Sequence, residues 1–225
     1  MSAENPRVAG IVLAAGEATR MGEPKVTLPY GGSTIVEAVV SVASAARLEP
    51  IIVVTGFYHE AVTAVIGDTA TVVHNPDAAS GNLSSLRVGV SAAGDVDAAV
   101  ILLGDMPEIE SETVQQLAHQ VVSSGAVGGW VRYRGDQHDG DTRGGDDRGE
   151  DDRGEDDRGE DEMGHPMVLS RHGLAGFSAL TGRRPVWRYL TSLDSDDVVV
   201  LDLDAPKPID VNTPDDYRRL LAEQL

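Results

Sequence analysis

Residues 8–16 read Val8-Ala9-Gly10-Ile11-Val12-Leu13-Ala14-Ala15-Gly16. The run 8–13 is apolar throughout, and such a run followed by small residues is typical of a strand that is buried on both faces of a sheet. Strands of this kind occur in parallel sheets that are covered by helices. The sequence therefore predicts a buried strand over 8–13 and a loop after it.

Outward from this strand, the first half of the chain alternates between strand and helix patterns. Further strands are predicted at 51–54, 71–73 and 98–103, and helices at 34–46, 58–66, 83–92 and 111–123. Thr34 or Ser33 is the expected N-cap of the first helix, because Glu37 follows Thr34 at capping-box spacing. This alternation predicts a three-layer, Rossmann-like α/β fold with a mostly parallel central sheet.

The second half continues the pattern with shorter elements. Strands are predicted at 126–133, 167–169, 198–203 and 209–211, and helices at 172–180, 185–190 and 214–225. Thr213 and Pro214 are the expected N-cap and first residue of the last helix. Ligands of such sheets bind beyond the carboxyl ends of the strands. The loops that follow Leu13 and Leu103 are therefore the expected binding loops.

The segment 134–163 differs in composition from the rest of the chain. It contains the pentad Asp-Asp-Arg-Gly-Glu at 146–150, 151–155 and 156–160, with no apolar residue in these repeats. Such a sequence cannot bury enough surface to offset its ordering entropy. We expect a disordered acidic insertion within a single domain that spans 1–225. Its carboxylates could hold calcium loosely, but the repeat spacing matches no ordered calcium loop.

Charge and composition exclude several classes of function. The formal net charge is −19, and the 14 acidic and 4 basic residues between Asp136 and Glu162 account for −10 of it. The remainder is still acidic and repels polyanions, so nucleic acid is not an expected partner. The absence of cysteine excludes disulfides and thiolate catalysis. We expect no secretion signal and no membrane span, since no apolar run approaches about 18 residues, and a cytoplasmic location.

The loop that follows the first strand carries the strongest chemical signal. It reads Leu13-Ala14-Ala15-Gly16-Glu17-Ala18-Thr19-Arg20-Met21-Gly22-Glu23-Pro24-Lys25. Small residues let a ligand approach the backbone, Gly22 permits a turn, and Arg20 and Lys25 suit a polyphosphate. From the residues alone, a glycine-rich turn with two surface cations explains the loop equally well. No G-x-G-x-x-G and no G-x-x-x-x-G-K-[ST] occurs, which disfavours a dehydrogenase and a P-loop ATPase.

Asp105 is a second candidate at the same edge of the sheet. It follows the strand 98–103 and precedes the turn at Pro107, so its carboxylate should emerge at the carboxyl end of the strand. A carboxylate there suits Mg²⁺, which takes one or two protein carboxylates together with phosphate oxygens. An Asx-turn that ends the strand is the alternative.

The pattern L-A-A-G-x-x-x-R-M-G-x-x-K at 13–25 resembles the MobA-like nucleotidyltransferases, and most closely the molybdenum cofactor cytidylyltransferases. The resemblance covers nearly the whole chain outside the acidic insertion. It includes, in order, Asn75-Pro76, Gly81 with Ser84-Ser85-Leu86, Gly104-Asp105-Met106-Pro107, Gly164-His165-Pro166 and Asp210-Val211-Asn212-Thr213-Pro214-Asp215-Asp216. Blocks in the expected order are more specific than one loop.

The resemblance implies a role for each matching residue. The nucleotide would be bound by Leu13, Ala14, Ala15, Gly16, Arg20, Lys25, Ser84 and Gly104. The catalytic residues would be Arg20, Lys25 and Asp105. The ligands of Mg²⁺ would be Asp105 and Asn212, and the acceptor would contact Ser85, Gly164 and His165. Ala15 favours CTP over GTP, because the guanylyl relatives usually carry L-A-G-G.

Some positions leave alternatives open. Asn212 stands where relatives often carry Asp, and a neutral ligand puts metal affinity in doubt. The segment Gly182-Arg183-Arg184-Pro185 stands where relatives often carry G-D-x-G, which leaves the acceptor open. Ser84 and Ser85 could instead be helix N-caps, and His165 a histidine at a strand end.

The resemblance implies transfer of CMP from CTP to molybdopterin or its molybdenum form, with release of pyrophosphate. A sugar or polyol phosphate as acceptor and GTP as donor are alternatives. A third reading is a non-catalytic chaperone that hands the cofactor to a molybdoenzyme or another maturation partner.

Overall fold

The computed structural model describes residues 6–135, 163–177, 180–182 and 184–224. The strands are β1 (Val8–Ala14), β2 (Pro29–Tyr30), β3 (Ser33–Thr34), β4 (Ile51–Thr55), β5 (Thr71–His74), β6 (Ala98–Leu103), β7 (Gly128–Tyr133), β8 (Met163–Ser170) and β9 (Val198–Leu203). The helices are α1 (Ile35–Ala45), α2 (His59–Ile66), α3 (Asn82–Ala93), α4 (Ser111–Ser124), α5 (Arg171–Gly176), α6 (Pro185–Thr191) and α7 (Pro214–Ala222). Among the described helices, none has both the length and the apolar character needed to cross a bilayer.

Seven strands form the central sheet, in the order β5-β4-β1-β6-β8-β7-β9. β8 pairs antiparallel with both of its neighbours, and the other pairings are parallel. β1 therefore lies inside a mostly parallel sheet, between β4 and β6, and is buried as its apolar sequence predicts. The pairing of β2 with β3 is a short antiparallel addition that the sequence did not predict.

The core consists of two apolar layers, one on each face of this sheet. Along β1, Val12 and Ala14 pack in the layer that contains residues of α1, α2 and α4. Ala9 and Ile11 pack in the other layer, with residues of α3 and α6. Successive side chains of a strand point to opposite faces, so β1 contributes to both layers. The predicted three-layer α/β fold is confirmed.

Helix α3 packs unusually close to the sheet. A Cβ atom added at Gly89 would lie 2.5 Å from Cγ2 of Ile11 and 3.0 Å from Cγ2 of Val54. Glycine is therefore required here by the approach of the helix to β1 and β4. This approach holds the start of α3, and the loop before it, against the carboxyl ends of both strands.

The helix starts follow the capping signals in the sequence. Thr34 caps α1 and Thr213 caps α7, and each forms a full capping box, with Glu37 and Asp216 respectively. The proline at the start of α7 occupies its first turn. Local sequence signals of this kind are reliable because both partners lie within one turn.

Other boundaries differ from the prediction. The predicted strand at 209–211 is not formed. The amide of Ile209 donates to the side chain of Glu108 and the amide of Val211 to the carbonyl of Asp105, both in the loop after β6, so these residues form no ladder of hydrogen bonds with another strand. α5 ends at Gly176, short of the predicted 180. β8 begins at Met163 and not at 167.

Arg134, Gly135 and Met163, at the two ends of the expected acidic insertion 134–163, are instead bonded into the fold. The amides of Arg134 and Gly135 donate to Leu203 and Ala205, and Met163 already belongs to β8. Both ends are therefore held to the sheet or to the segment after β9. The prediction for 136–162 lies outside the described residues.

The close packing of α3 predicts that Gly89→Ala lowers the free energy of unfolding by about 1–3 kcal/mol, because the new methyl group overpacks the core. Ser91→Ala, on the exposed side of the same helix, is the matched control and should change stability by less than about 0.5 kcal/mol. Chemical denaturation followed by circular dichroism measures both. A gain in stability for Gly89→Ala, as helix propensity alone would give, would contradict the close approach.

Candidate functional site

Two adjoining cavities lie at the carboxyl edge of the sheet, where β1, β6 and β9 end and β8 begins. The first has a volume of about 330 Å³ and is lined by Leu13, Ala14, Ala15, Gly16, Glu17, Ala18, Thr19, Arg20, Pro24, Lys25, Val26, Tyr58, Asn82, Ser85, Leu103, Asp105, Asp210 and Asn212. Most of the predicted nucleotide-binding residues are therefore brought together here. The second has a volume of about 320 Å³ and shares four of these residues: Leu13, Asn82, Leu103 and Asp210.

The loop after β1 wraps around the first cavity. Its turn is formed by the amides of Met21 and Gly22, which both donate to the carbonyl of Ala18, and Gly22 has a φ of +73°. The amides of residues 16–20 donate no hydrogen bond to any described residue. A loop with several unused N–H groups beside cationic side chains can bind an anion.

Lys25 makes the central contacts of the site. Its Nζ lies 2.5 Å from Oδ2 of Asp105 and donates to Oδ1 of Asn212 at 2.8 Å. The side chains of Lys25 and Asp105 are only 13% and 17% exposed, so this ion pair is partly shielded from water. Arg20, the other predicted cation, is exposed and makes no ion pair within the described ranges.

Asn212 reaches the site because of how the segment before α7 is held. The amide of Val211 donates to the carbonyl of Asp105 at 3.1 Å, and the amide of Asn212 donates to Asp216 in the capping box of α7. Val211 is fully buried in a cluster with Ile35 of α1. Since alternate residues of an extended segment point in opposite directions, the residues on either side of Val211 line the cavity.

Asp210 is a site residue to which the sequence analysis assigned no role. It lines both cavities, and its Oδ1 is buried with no hydrogen-bond partner in the described part of the chain. Burial, together with the negative charge of Asp105, raises the pKa of Asp210 to about 6, although the charge of Lys25 acts in the opposite direction. The position of Asp210, two residues before Asn212, was the signal that could have revealed it.

These side chains suit a hard divalent cation. Asp105, Asp210 and Asn212 offer only oxygen atoms, the ligands that Mg²⁺ prefers, and one carboxylate oxygen is buried without a partner. Within the described residues, no group of three or more His, Cys, Asp or Glu side chains could hold a metal. A cation would therefore need phosphate oxygens of a substrate to complete its ligands, which is how Mg²⁺ is often bound.

The second cavity contains the predicted acceptor-side residues Gly164 and His165. It is lined by Leu13, Asn82, Leu86, Ile101, Leu103, Met106, Gly164, His165, Met167, Arg184, Pro185, Val186, Trp187, Lys207 and Asp210. The register of β7 with β8 shifts between Trp130 and Val131, opposite this part of β8. A β-bulge redirects side chains, and here it accompanies the turn of the His165 ring towards β6.

Asn75 holds the loop 75–81 to the first turn of α3. Nδ2 of this buried side chain donates to the hydroxyls of Ser84 and Ser85, both at 2.9 Å, and its Oδ1 accepts from the amide of Asp77. Gly81, not a serine, precedes α3, so the reading of the two serines as N-caps is wrong. Both serines instead fix the loop to the helix.

Three predicted residues lie away from their expected positions. Ser84 does not line either cavity, since its hydroxyl donates within the loop to Asp77 and Gly81. Ser85 lines the first cavity and not the acceptor side. The amide of Gly104 donates to the carbonyl of Leu13 at 2.9 Å, so this glycine joins β6 to β1. Their roles in binding remain predictions.

Comparisons with known proteins agree with this geometry. The family described as MobA-like NTP transferase domain matches residues 10–202. "Bifunctional protein GlmU" of Streptomyces avermitilis is 35% identical over 131 residues, 56% of this chain and 27% of that protein. "Probable molybdenum cofactor guanylyltransferase" of Mycolicibacterium paratuberculosis is 34% identical over 128 residues, 55% of this chain and 62% of that protein. The match thus spans about a quarter of GlmU.

A solved structure matches over almost the whole chain. Rv0371c of Mycobacterium tuberculosis is 28% identical, with a TM-score of 0.75 over 96% of this chain and 98% of that one. Its complex with manganese has a TM-score of 0.72 over the same shares of both chains. With a family match that covers most of its length, this chain belongs to the MobA-like NTP transferase domain family.

Proposed function

We propose that this protein is a cytoplasmic nucleotidyltransferase, formed by a single domain, that transfers CMP from CTP to molybdopterin and releases pyrophosphate. One observation carries the proposal: Lys25 and the oxygen ligands Asp105 and Asn212 meet beside two adjoining cavities. The guanylyltransferase relative supports a molybdenum cofactor precursor as acceptor. Ala15 favours CTP, whereas that relative favours GTP, so the donor base is decided by experiment.

The first cavity supplies the groups that a triphosphate requires. The unused amides of residues 16–20 and the guanidinium of Arg20 would bind the phosphates, and Lys25 adds a compact charge. In a chain with a net charge of −19, this concentration of donors is a local exception. Lys25 would exchange its contact with Asp105 for one with a phosphate oxygen when the nucleotide binds.

The reaction needs positioning and charge neutralisation more than proton transfer. An oxygen of the acceptor phosphate attacks the α-phosphorus, a new P–O bond forms, and the bond to the oxygen that bridges to the β-phosphate breaks, so that pyrophosphate leaves with that electron pair. The second pKa of a phosphomonoester is about 6, so the attacking oxygen is already an anion at neutral pH. No general base is required, and Lys25 and Arg20 stabilise the charge that develops.

Asp105 and Asn212, with Asp210 beside them, are the residues that would hold Mg²⁺. When bound, the cation would neutralise phosphate charge and orient the triphosphate. The manganese complex of Rv0371c supports a divalent cation in a structure of this fold. The protein's own contribution is to hold the oxygen ligands in place through Val211 and the capping box of α7.

The charges of Lys25 and Asp105 should be needed for turnover but not for folding. We expect Lys25→Met and Asp105→Asn each to lower the rate of pyrophosphate release by about 100-fold or more, because transition-state charge loses its stabilisation. The assay compares the four nucleoside triphosphates with purified molybdopterin. Arg47→Gln, an exposed change before β4 at the opposite edge of the sheet, should retain the wild-type rate. A near-normal rate for either site variant would contradict these roles.

The contacts of Lys25 also predict competition between its ammonium group and a divalent cation. Lys25→Met should bind Mn²⁺ about tenfold more tightly than the wild type when no nucleotide is present, since two ligand oxygens lose their bound positive charge. Titration followed by electron paramagnetic resonance measures the free Mn²⁺. Lys207→Met removes the same charge without a contact to Asp105 or Asn212 and should change this affinity less. Equal affinities for Lys25→Met and the wild type would exclude the competition.

The ionised carboxylate of Asp210 should lower the free energy of unfolding of the metal-free protein. Asp210→Asn removes a buried negative charge that lies beside Asp105, and we expect it to raise the free energy of unfolding at pH 8 by about 1 kcal/mol. The pKa of Asp210 is raised in the folded protein, so the penalty is present above the folded pKa of about 6 and disappears as the pH falls towards 4. Denaturation at both pH values tests this. A loss of stability at pH 8 would mean that the carboxylate is well paired.

A further inference from the structure

The second cavity is mostly apolar, which limits what it can accept. Its walls include the side chains of Leu86, Ile101, Met106, Met167 and Val186. A sugar or polyol would place several hydroxyl groups against these residues, and each unpaired hydroxyl costs free energy when it leaves water. If the proposed nucleotidyl transfer is correct, the body of the acceptor lies here, because Asp210 and Leu103 line both cavities.

Polar side chains also line this cavity: Asn82, His165, Arg184, Trp187, Lys207 and Asp210. The rings of His165 and Trp187 place polar nitrogen atoms among the apolar walls. Nδ1 of His165 lies 3.2 Å from the carbonyl oxygen of Ile101, and a carbonyl can only accept, so Nδ1 carries the proton. Burial lowers the pKa of His165 and is the largest influence on it. The hydrogen bond to Ile101 and the charge of Asp210 act in the opposite direction, and the charge of Lys207 lowers the pKa further. The ring is therefore neutral at neutral pH, and its Nε2 is a hydrogen-bond acceptor.

Trp187 provides the complementary donor. Its Nε1 is buried and has no hydrogen-bond partner in the described part of the chain, although the side chain lines the cavity. A buried indole N–H without a partner is unusual, because tryptophan normally finds one. An acceptor of hydrogen bonds on a ligand would satisfy it.

Lys207 adds a positive charge to the same cavity. It is partly buried and makes no hydrogen bond or ion pair with the described residues, although the protein is strongly acidic. The chain contains only two lysines, Lys25 and Lys207, and each lines one of the two cavities. An anionic group of the ligand is the natural partner of a lysine in this position.

We propose that Lys207 binds the phosphate of the acceptor, and that Trp187 and His165 recognise one edge of a flat heteroaromatic body to which that phosphate is attached. The indole N–H meets a ring nitrogen or carbonyl oxygen, and the imidazole Nε2 accepts from a ring N–H or amino group. Such a ring has two apolar faces for the walls and a polar edge for these two groups. These three residues thereby select a phosphorylated heterocycle over a sugar phosphate.

Binding without nucleotide tests the selection directly. The probes are hydroxymethylpterin monophosphate, the same pterin without phosphate, and a hexose monophosphate, each titrated calorimetrically into the full chain. The wild type should bind the phosphorylated pterin best. Lys207→Met should weaken that binding by about tenfold or more, as expected for a hydrogen bond to a charged group. Trp187→Phe, which keeps an aromatic side chain but loses the pyrrole part of the indole with its N–H, should weaken it by about fivefold.

Stability separates recognition from a structural role. Since Nε1 of Trp187 has no partner among the described residues, Trp187→Phe should cost only the packing of the larger ring, and the phosphorylated pterin should raise the thermal midpoint of the variant less than that of the wild type. Arg47→Gln serves as the charge control for Lys207→Met and should leave all three affinities unchanged. Tighter binding of the hexose phosphate, or wild-type affinity in Lys207→Met, would overturn the proposal.

The two lysines also allow the inference to be separated from the proposed function. Acylation with an amine-reactive reagent, followed by mass spectrometry, reports each lysine independently. CTP with Mg²⁺ should protect Lys25, and the phosphorylated pterin should protect Lys207. If no nucleoside triphosphate protects Lys25, the proposed function fails. If a nucleotide protects Lys25 but the pterin leaves Lys207 fully reactive, the proposed function stands and the acceptor assignment is wrong.

Discussion

The ammonium group of Lys25 connects the loop after β1 to Asn212, which lies 187 residues later in the chain, and the site depends on that contact. On one side it pairs with Asp105 at the end of β6, and on the other it donates to Asn212 just before α7. The backbone reinforces this closure, because the amide of Val211 donates to the carbonyl of Asp105. The beginning, middle and end of the chain are thus brought to one edge of the sheet.

The sequence predicted the features that depend on nearby residues. The apolar strand β1, the capping boxes of Thr34 and Thr213, and the strands β6 and β9 match their signals closely. In each case the signal and the structure lie within one element. The alternation of strands and helices predicted a parallel sheet, in which the loops after β1 and β6 lie at the same edge. Lys25 and Asp105 were therefore expected at that edge from the sequence alone.

Features that depend on distant partners were not predictable in the same way. The segment 209–211 has the composition of a strand, yet its amides bond to Glu108 and to the carbonyl of Asp105. The use of Ser84 and Ser85 depends on Asn75, which a capping pattern does not reveal. Lys207 and Trp187 became candidates only when the fold placed them beside the second cavity, because nothing in their local sequence distinguishes them from surface residues. For Asp210 the one signal in the sequence was its position two residues before Asn212.

The two cavities share a wall formed by Leu13, Asn82, Leu103 and Asp210. An occupant of either side contacts side chains that also shape the other, and protein interiors transmit such displacements instead of absorbing them. The free energies with which the two proposed substrates bind are therefore expected to be linked. Thermodynamic reciprocity requires that each of them change the affinity of the other by the same factor, so the order in which they arrive would not alter the stability of the ternary complex.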